Sequence, residues 1–583
     1  MPPLVYPPPA GCGALRFRLP EHAVAKRKRQ PALPPALQRK SAMLTYTPPE
    51  SGRPAGSREY PWMLLLLVFA WLWPGVFSHD LWRPHEPETF AAVEYFLRHG
   101  SVAGASALPP PYVWLAALFV RLLSPWALDA YSAARVASVV FTALGLAGCG
   151  MACTRMLDRH AARSMLLVLI ASAGLTAAGH FLGPVPVLFA GAGLYWWGMA
   201  AAQRQVVFSG VLSALALLLL FQAGGALVAA AALLAGVLPH VFAGWRRRHL
   251  LWLLCTLAVV LPLLASHFLL LANNHPAAFD IYLRRQLFGV FGGLDGFQAA
   301  FSLPYYLLHL TWFALPAWPL ALWTAVKTPA AQRAVFLPAL CWLAVFGLLL
   351  ALMPQHNRDY LVLLLPPFAL AASAQLDSLK RGVAAFFNWF GMMTFGLAAV
   401  FLWLGFMAMN YGYPARLAAR AAYFSPYYTP HIRPLPILFA LLFGLMWLVA
   451  VRRRRIRGRQ AVTNWAAGIT LVWALLFTLF LPWLDAAKSY RPVVLQMEQS
   501  LNDGVRADFA AGACLLIRRP RSDGYLAWQQ YGSLKIGGEN DNCRYELLET
   551  DPRSAAVPEN ALWQGRRPRS KNQLFVLVRR DGF

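Results

Sequence analysis

Long apolar runs broken by short polar interruptions dominate the chain from residue 62 onward. The runs fall at 62–78, 132–154, 163–181, 184–201, 206–221, 224–243, 250–272, 305–325, 334–353, 359–376, 385–409, 434–451 and 463–484. Most reach the ~17–25 residues that an α-helix needs to cross a bilayer. The pattern predicts an all-α polytopic membrane protein of about 13 transmembrane helices. With the first N-terminus in the cytoplasm, Arg155/Arg159, Arg204, Arg246-Arg247-Arg248, Lys327/Arg333, Lys380/Arg381 and Arg452-Arg453-Arg454-Arg455 all fall inside, as the cytoplasmic excess of Lys and Arg demands.

That solution leaves 79–131, 273–304, 410–433 and the tail 485–583 on the outer face. In the first loop, Phe90, Val93, Phe96 and Leu97 recur at helical spacing over 86–98, the mark of an amphipathic juxtamembrane helix. Residues 111–124 read as a second helix lying in the interface. The tail reads as a small α/β domain, with strands at 514–517, 543–548 and 574–578 and a helix at 524–533. The expected domains are therefore a Pro-rich basic arm over 1–60, a transmembrane domain over 61–484, and the outer domain over 485–583.

Composition sharpens the class. Of 583 residues, 58% are hydrophobic and only 13% charged, against about 25% charged in soluble proteins, which excludes a purely soluble enzyme. The net charge of +27 is spread in short clusters between apolar runs, so it reads as topogenic charge and no nucleic-acid partner is expected. The arm contains Lys26-Arg27-Lys28-Arg29 and lacks a secretory signal; Met43 offers an alternative start. Seven cysteines form no CxxC pair. Cys149, Cys153, Cys255 and Cys341 lie in apolar runs, whereas Cys514 and Cys543 share the tail, where a bridge is compatible with an oxidising periplasm.

Polar chemistry concentrates just past the first apolar run, in His79-Asp80-Leu81-Trp82-Arg83-Pro84-His85-Glu86-Pro87-Glu88. A carboxylate or imidazole held here suits proton transfer from an acceptor, although Glu86 and Glu88 equally suit a helix N-terminus. His79, Asp80, His85 and Glu86 are also capable ligands for a divalent metal, without the spacing of a tight protein-only site. Two further clusters, 279–286 with Arg284 and Arg285 and 355–360 with Arg358 and Tyr360, pair arginine with tyrosine. Guanidinium forks suit the phosphate of a lipid whose hydrocarbon lies in the membrane, while interfacial anchoring explains the same residue types.

The run from Asp80 through Glu86, the amphipathic helix after it and the Pro-Pro segment 108–114 resemble the first outer loop of GT-C membrane glycosyltransferases, in particular the bacterial aminoarabinose transferases that act on lipid A, relatives of the protein O-mannosyltransferases. Residues 305–324, YYLLHLTWFALPAWPLALWT, Arg358-Asp359-Tyr360-Leu361 with Leu365-Pro366-Pro367, and Trp563-Gln564-Gly565-Arg566-Arg567-Pro568 in the tail are similar to members of that group. The resemblance implies transfer of a sugar from a polyprenyl phosphate, by direct displacement at the anomeric carbon, to a lipid, glycan or protein acceptor at the periplasmic face of the inner membrane. It makes His85 and Glu86 candidates for base and orienting acid, Asp80 a supporting acid, and Arg284, Arg285, Arg358 and Tyr360 the donor-phosphate ligands. Three positions depart from the family pattern: His85 replaces an Asp, Leu108 replaces a Lys, and 180–184 carries no Asp. An active enzyme with a His base and a catalytically degenerate, lipid-binding homologue both follow from these changes. A transporter fits less well, since no repeated halves with charged or Gly/Pro-broken helices are visible.

Overall fold

The computed structural model describes residues 61–100, 110–244, 246–452, 458–518, 522–538, 541–553 and 558–580. The arm 1–60, Leu108 and Arg453–Arg455 lie outside the described residues. Among the described residues seven helices are long and apolar enough to cross a membrane: Ala130–Met156, Val206–Ala243, Arg247–Asn274, Gln332–Leu352, Arg381–Tyr411, Pro434–Val451 and Gly458–Leu479. Shorter apolar helices include Pro61–Leu72 and Val185–Ala201.

The difference from the expected spans has local causes. Val206–Ala243 covers two predicted spans, and Gly225 interrupts it with φ of 82°, a conformation open to glycine because it has no Cβ. A straight helix of this length would hold its ends roughly 55 Å apart. Here Gln203, at its start, lies 3.3 Å from His249, and His240, near its end, stacks on the same His249 ring at 3.8 Å. The two halves therefore form a hairpin, and 206–221 and 224–243 are separate antiparallel spans. The predicted span 305–325 is two short helices, Leu303–Phe313 and Ala317–Lys327, with Pro316 between them, where proline withholds a backbone donor. The span 359–376 begins with the 3-10 segment Arg358–Leu364 and continues as Leu365–Ala374.

Small residues bring the central helices together. A Cβ built at Gly148 would sit 2.4 Å from the Gly193 carbonyl carbon, so Ala130–Met156 and Val185–Ala201 cross at backbone contact, the packing that glycine allows between membrane helices. At one end of the bundle His160 pairs with Asp377 at 2.7 Å, and Arg459 meets His160 at 2.7 Å. This end gathers the connections next to Arg155, Lys380 and Arg452. At the opposite end of Ala130–Met156, Arg135 faces the loop that follows Pro61–Leu72.

At that second end the two predicted loop helices form as Glu86–His99 and Pro110–Leu123. Pro87 in the first turn and Gly100 at the C-cap, in the left-handed region with its N–H on Phe96 O, define the former, as expected of proline-start and glycine-stop signals. Phe90 and Val93 are buried against Tyr112, Val113 and Ala116 of its neighbour.

The tail forms a five-stranded sheet, ordered β2-β1-β3-β5-β4, from β1 (Leu515–Leu516), β2 (Ile536–Gly537), β3 (Tyr545–Thr550), β4 (Ala561–Gly565) and β5 (Leu574–Arg579). β1 runs parallel to β2 and β3, and β5 runs antiparallel to β3 and β4. Trp528, Tyr490 and Phe575 fill its core. Cys514 and Cys543 form the disulfide that the sequence allowed, with Cα atoms 4.9 Å apart; it ties the entrance of β1 to that of β3.

Candidate functional site

Arg135 organises the loop between Pro61–Leu72 and Glu86–His99. Its Nε and Nη2 donate to the Glu86 carboxylate at 2.8 and 3.0 Å, Nη1 donates to His79 O at 2.9 Å and Nη2 to Asp80 O at 2.8 Å. The Trp82 N–H (2.8 Å) and the Leu182 N–H (3.1 Å) complete the shell of Glu86. Both charged side chains are buried, at 0 and 2% exposure. Burial alone would raise the Glu86 pKa, but Arg135, His79 and these donors hold it below the usual carboxylate range. Glu86 is thus a closed structural node, with its acceptor sites already filled.

His79 and Asp80 are likewise committed. The His79 ring packs on Trp82 at 4.3 Å between the carbonyls of Gly75 and Asp80, and burial pushes it down to about 4. Asp80 takes Arg491 at 2.6 Å and the Ser489 hydroxyl at 2.7 Å, which docks the tail on the loop. The four side chains considered for a metal do not converge, and among the described residues no group of three or more His, Cys, Asp or Glu is placed to hold one.

His85 stands apart. It occupies the N-cap position of Glu86–His99, and its carbonyl accepts from the Thr89 N–H at 3.0 Å and the Thr89 hydroxyl at 2.7 Å. Gly183 lets the 180–184 segment approach, since a Cβ there would lie 3.3 Å from His85 Cβ. The ring points outward, and its Nε2 meets Asp359 Oδ2 at 3.1 Å. Both side chains are part exposed, at 34 and 22%. The acid facing the imidazole is therefore Asp359, 274 residues away in sequence, while Glu86, the acid expected to orient it, faces Arg135. Asn357 Oδ1 caps the Arg358–Leu364 turn by accepting the Asp359 N–H at 3.0 Å.

Arg358, beside Asp359, extends over the Trp312 ring at 5.9 Å, is exposed, and has no acidic partner among the described residues. Tyr305 stacks on His356 at 4.6 Å and lies 4.2 Å from His309, forming an aromatic wall from the same two segments. Tyr360 is half-buried against the bundle core. Arg284 is bound to Asp280 at 2.9 Å and Asp295 at 3.3 Å on its own loop; the Arg285 side chain lies outside the described residues. The structure thus brings His85 and Asp359 together next to Arg358, and leaves Arg284 with its own acids.

Asp359 lies in a run that the sequence singles out without giving this acid a role, and Arg135 was missed. Arg135 carried a signal, as an arginine within a run of apolar residues marks a paired interior charge. A third is Asp485, which accepts from Trp82 Nε1 at 2.8 Å and Asp80 N at 3.1 Å. Burial, then the charge of Asp80, raises its carboxyl to about 7 against the pull of those two donors. A carboxyl raised in the folded state stabilises most below its ordinary pKa and loses that contribution as pH rises through the folded value. Protection set by global unfolding should accordingly weaken as pH rises through about 7, while the bonds from Asp80 N and Trp82 Nε1 themselves favour the carboxylate. Asp485→Asn should make that protection independent of pH in this window; an unchanged slope would assign the effect to another group.

No family model and no curated protein matches this chain. Solved structures do, among them ArnT from Cupriavidus metallidurans bound to undecaprenyl phosphate, at 16% identity and a TM-score of 0.58, and the same protein in the apo state, at 16% and 0.57. Each alignment covers 89% of this chain and 97% of the other. The likeness spans bundle and tail together and is one of architecture: this chain has the GT-C fold.

Proposed function

We propose that the protein is a multi-pass glycosyltransferase of a bacterial inner membrane that moves a sugar from a polyprenyl phosphate to an acceptor at the periplasmic face. The observation that carries this reading is the junction of His85, Asp359 and Arg358 at the bundle end away from the arginine clusters, in a fold shared with a protein crystallised with undecaprenyl phosphate. Positive-inside topology puts the arginine clusters in the cytoplasm and this end, with the disulfide-bearing tail, outside. His85 is the base; Arg358, exposed and with no acidic partner among the described residues, meets the charge that develops on the departing lipid phosphate. Tyr360 lines the same turn.

Undecaprenyl phosphate binding to the purified protein tests the donor half. A hydrogen bond to a charged group is worth about 1.5–3 kcal/mol, so Arg358→Ala should weaken affinity roughly tenfold to a hundredfold. Arg358→Lys keeps the charge, loses the fork, and should cost less. Equal losses would give Arg358 a packing role on Trp312. Donor binding without transfer to any membrane acceptor would assign the protein to the alternative, a lipid-binding homologue without turnover.

A further inference from the structure

The groups around His85 bear on the chemistry of the acceptor, given the transferase reading above. A phosphate oxygen is already anionic at neutral pH. It needs no base to attack an anomeric carbon and instead needs cations to hold it. A hydroxyl keeps its proton until a positioned base takes it in the transition state.

The side chains match the second case. His85 Nε2 faces the Asp359 carboxylate at 3.1 Å, so the imidazole carries its proton there, and Nδ1 is left with its lone pair and no partner among the described residues. A carboxylate on one nitrogen fixes the tautomer and stabilises the imidazolium that forms when the other nitrogen accepts a proton. Three neighbouring arginines are paired with acids. Arg135 is spent on Glu86 and two carbonyls, Arg83 on Asp523 at 2.5 Å, Arg491 on Asp80, and Lys488 lies over the Trp82 ring at 4.5 Å. Arg358, exposed and with no acidic partner among the described residues, serves the donor phosphate.

We infer that the acceptor presents a neutral hydroxyl and that Asp359 is a positioning residue holding His85 to receive its proton. The acceptor oxygen forms its bond to the anomeric carbon as its proton passes to His85 Nδ1. The bond from that carbon to the phosphate oxygen breaks, its electron pair leaves on the lipid phosphate beside Arg358, and the imidazolium returns its proton to water.

The test uses membranes from cells producing the full-length protein, with sugar adducts followed by mass spectrometry before and after mild acid. A sugar on phosphate is released by that treatment, and one on a hydroxyl survives. The expected product is acid-stable. Its formation should fall by about 10²- to 10⁴-fold in kcat for Asp359→Asn, with little change in KM, and Asp359→Glu should recover part of it. A fall confined to KM would make Asp359 a binding or packing residue. An acid-labile product that persists in His85→Asn would overturn the inference while leaving the transferase reading intact. No product from the wild type, with Arg358-dependent binding of undecaprenyl phosphate preserved, would instead remove the transferase reading, and the inference with it.

Discussion

His85→Asn is expected to lower sugar transfer by about 10²–10⁴-fold, the loss that follows removal of a general base, and to leave undecaprenyl phosphate binding within a factor of about two, well below the tenfold that a 1.4 kcal/mol contact is worth. Asparagine ends near the position of Nδ1 and drops the contact to the part-exposed Asp359, but the backbone bonds from Thr89 to the residue 85 carbonyl do not depend on the side chain. The fold should therefore survive, and the defect should fall on turnover. Single-turnover transfer beside equilibrium donor binding separates the two; a near-normal rate would take His85 out of the mechanism.

His85→Asp makes a sharper variant, since it places at this position the acid found in the family that the first loop resembles. In this chain the new carboxylate would meet Asp359 where the imidazole now sits. Two carboxylates sharing a site cannot both ionise freely, and one is pushed to bind a proton. Recovery of activity should therefore require Asp359→Asn as well. Full activity in His85→Asp alone would show that Asp359 does not sense the charge at position 85.

Bundle and tail were legible in the sequence to different depths, for physical reasons. Apolar length located the helices of the bundle, including the two halves that meet at Gly225, because a bilayer crossing demands a long apolar run. It could not foresee that 305–325 divides at Pro316 or that 358–364 winds as a 3-10 turn, since hydropathy is blind to backbone hydrogen bonding. In the tail, β1, β3 and β5 stood out as apolar runs. β2, with two residues, and β4, half-exposed with an Arg-rich loop after it, carry too little pattern to be read without their neighbours. At the site, residue types pointed to His85 and Arg358, because polar groups beside a membrane span are rare enough to notice. Their partners are tertiary facts. The approach of Asp359 to His85 depends on how 355–364 packs beside the first loop, and the withdrawal of Glu86 depends on Arg135 entering from another helix.

The Arg135–Glu86 node should be the largest single contributor to the order of that loop. Removing one partner of a buried pair leaves the other charge unmatched and costs about 3–5 kcal/mol, so Glu86→Ala and Arg135→Met should each greatly reduce folded protein in detergent. The double variant leaves no orphan charge and should lose markedly less than the two singles combined. Strictly additive losses in a double-mutant cycle of thermal unfolding would mean the two side chains act independently. Acid offers a second approach without mutation. Glu86 is held low in the fold, and His79 is held neutral down to about 4; each supplies stability present above its unfolded pKa and lost as pH falls through its folded one. Asp485 runs the other way, with its contribution declining as pH rises toward about 7. Acid should therefore loosen the loop at Arg135 while relieving the repulsion between Asp485 and Asp80, two opposite slopes in the pH dependence of unfolding. The loop that presents His85 thus has its firmest purchase on both sides between these limits.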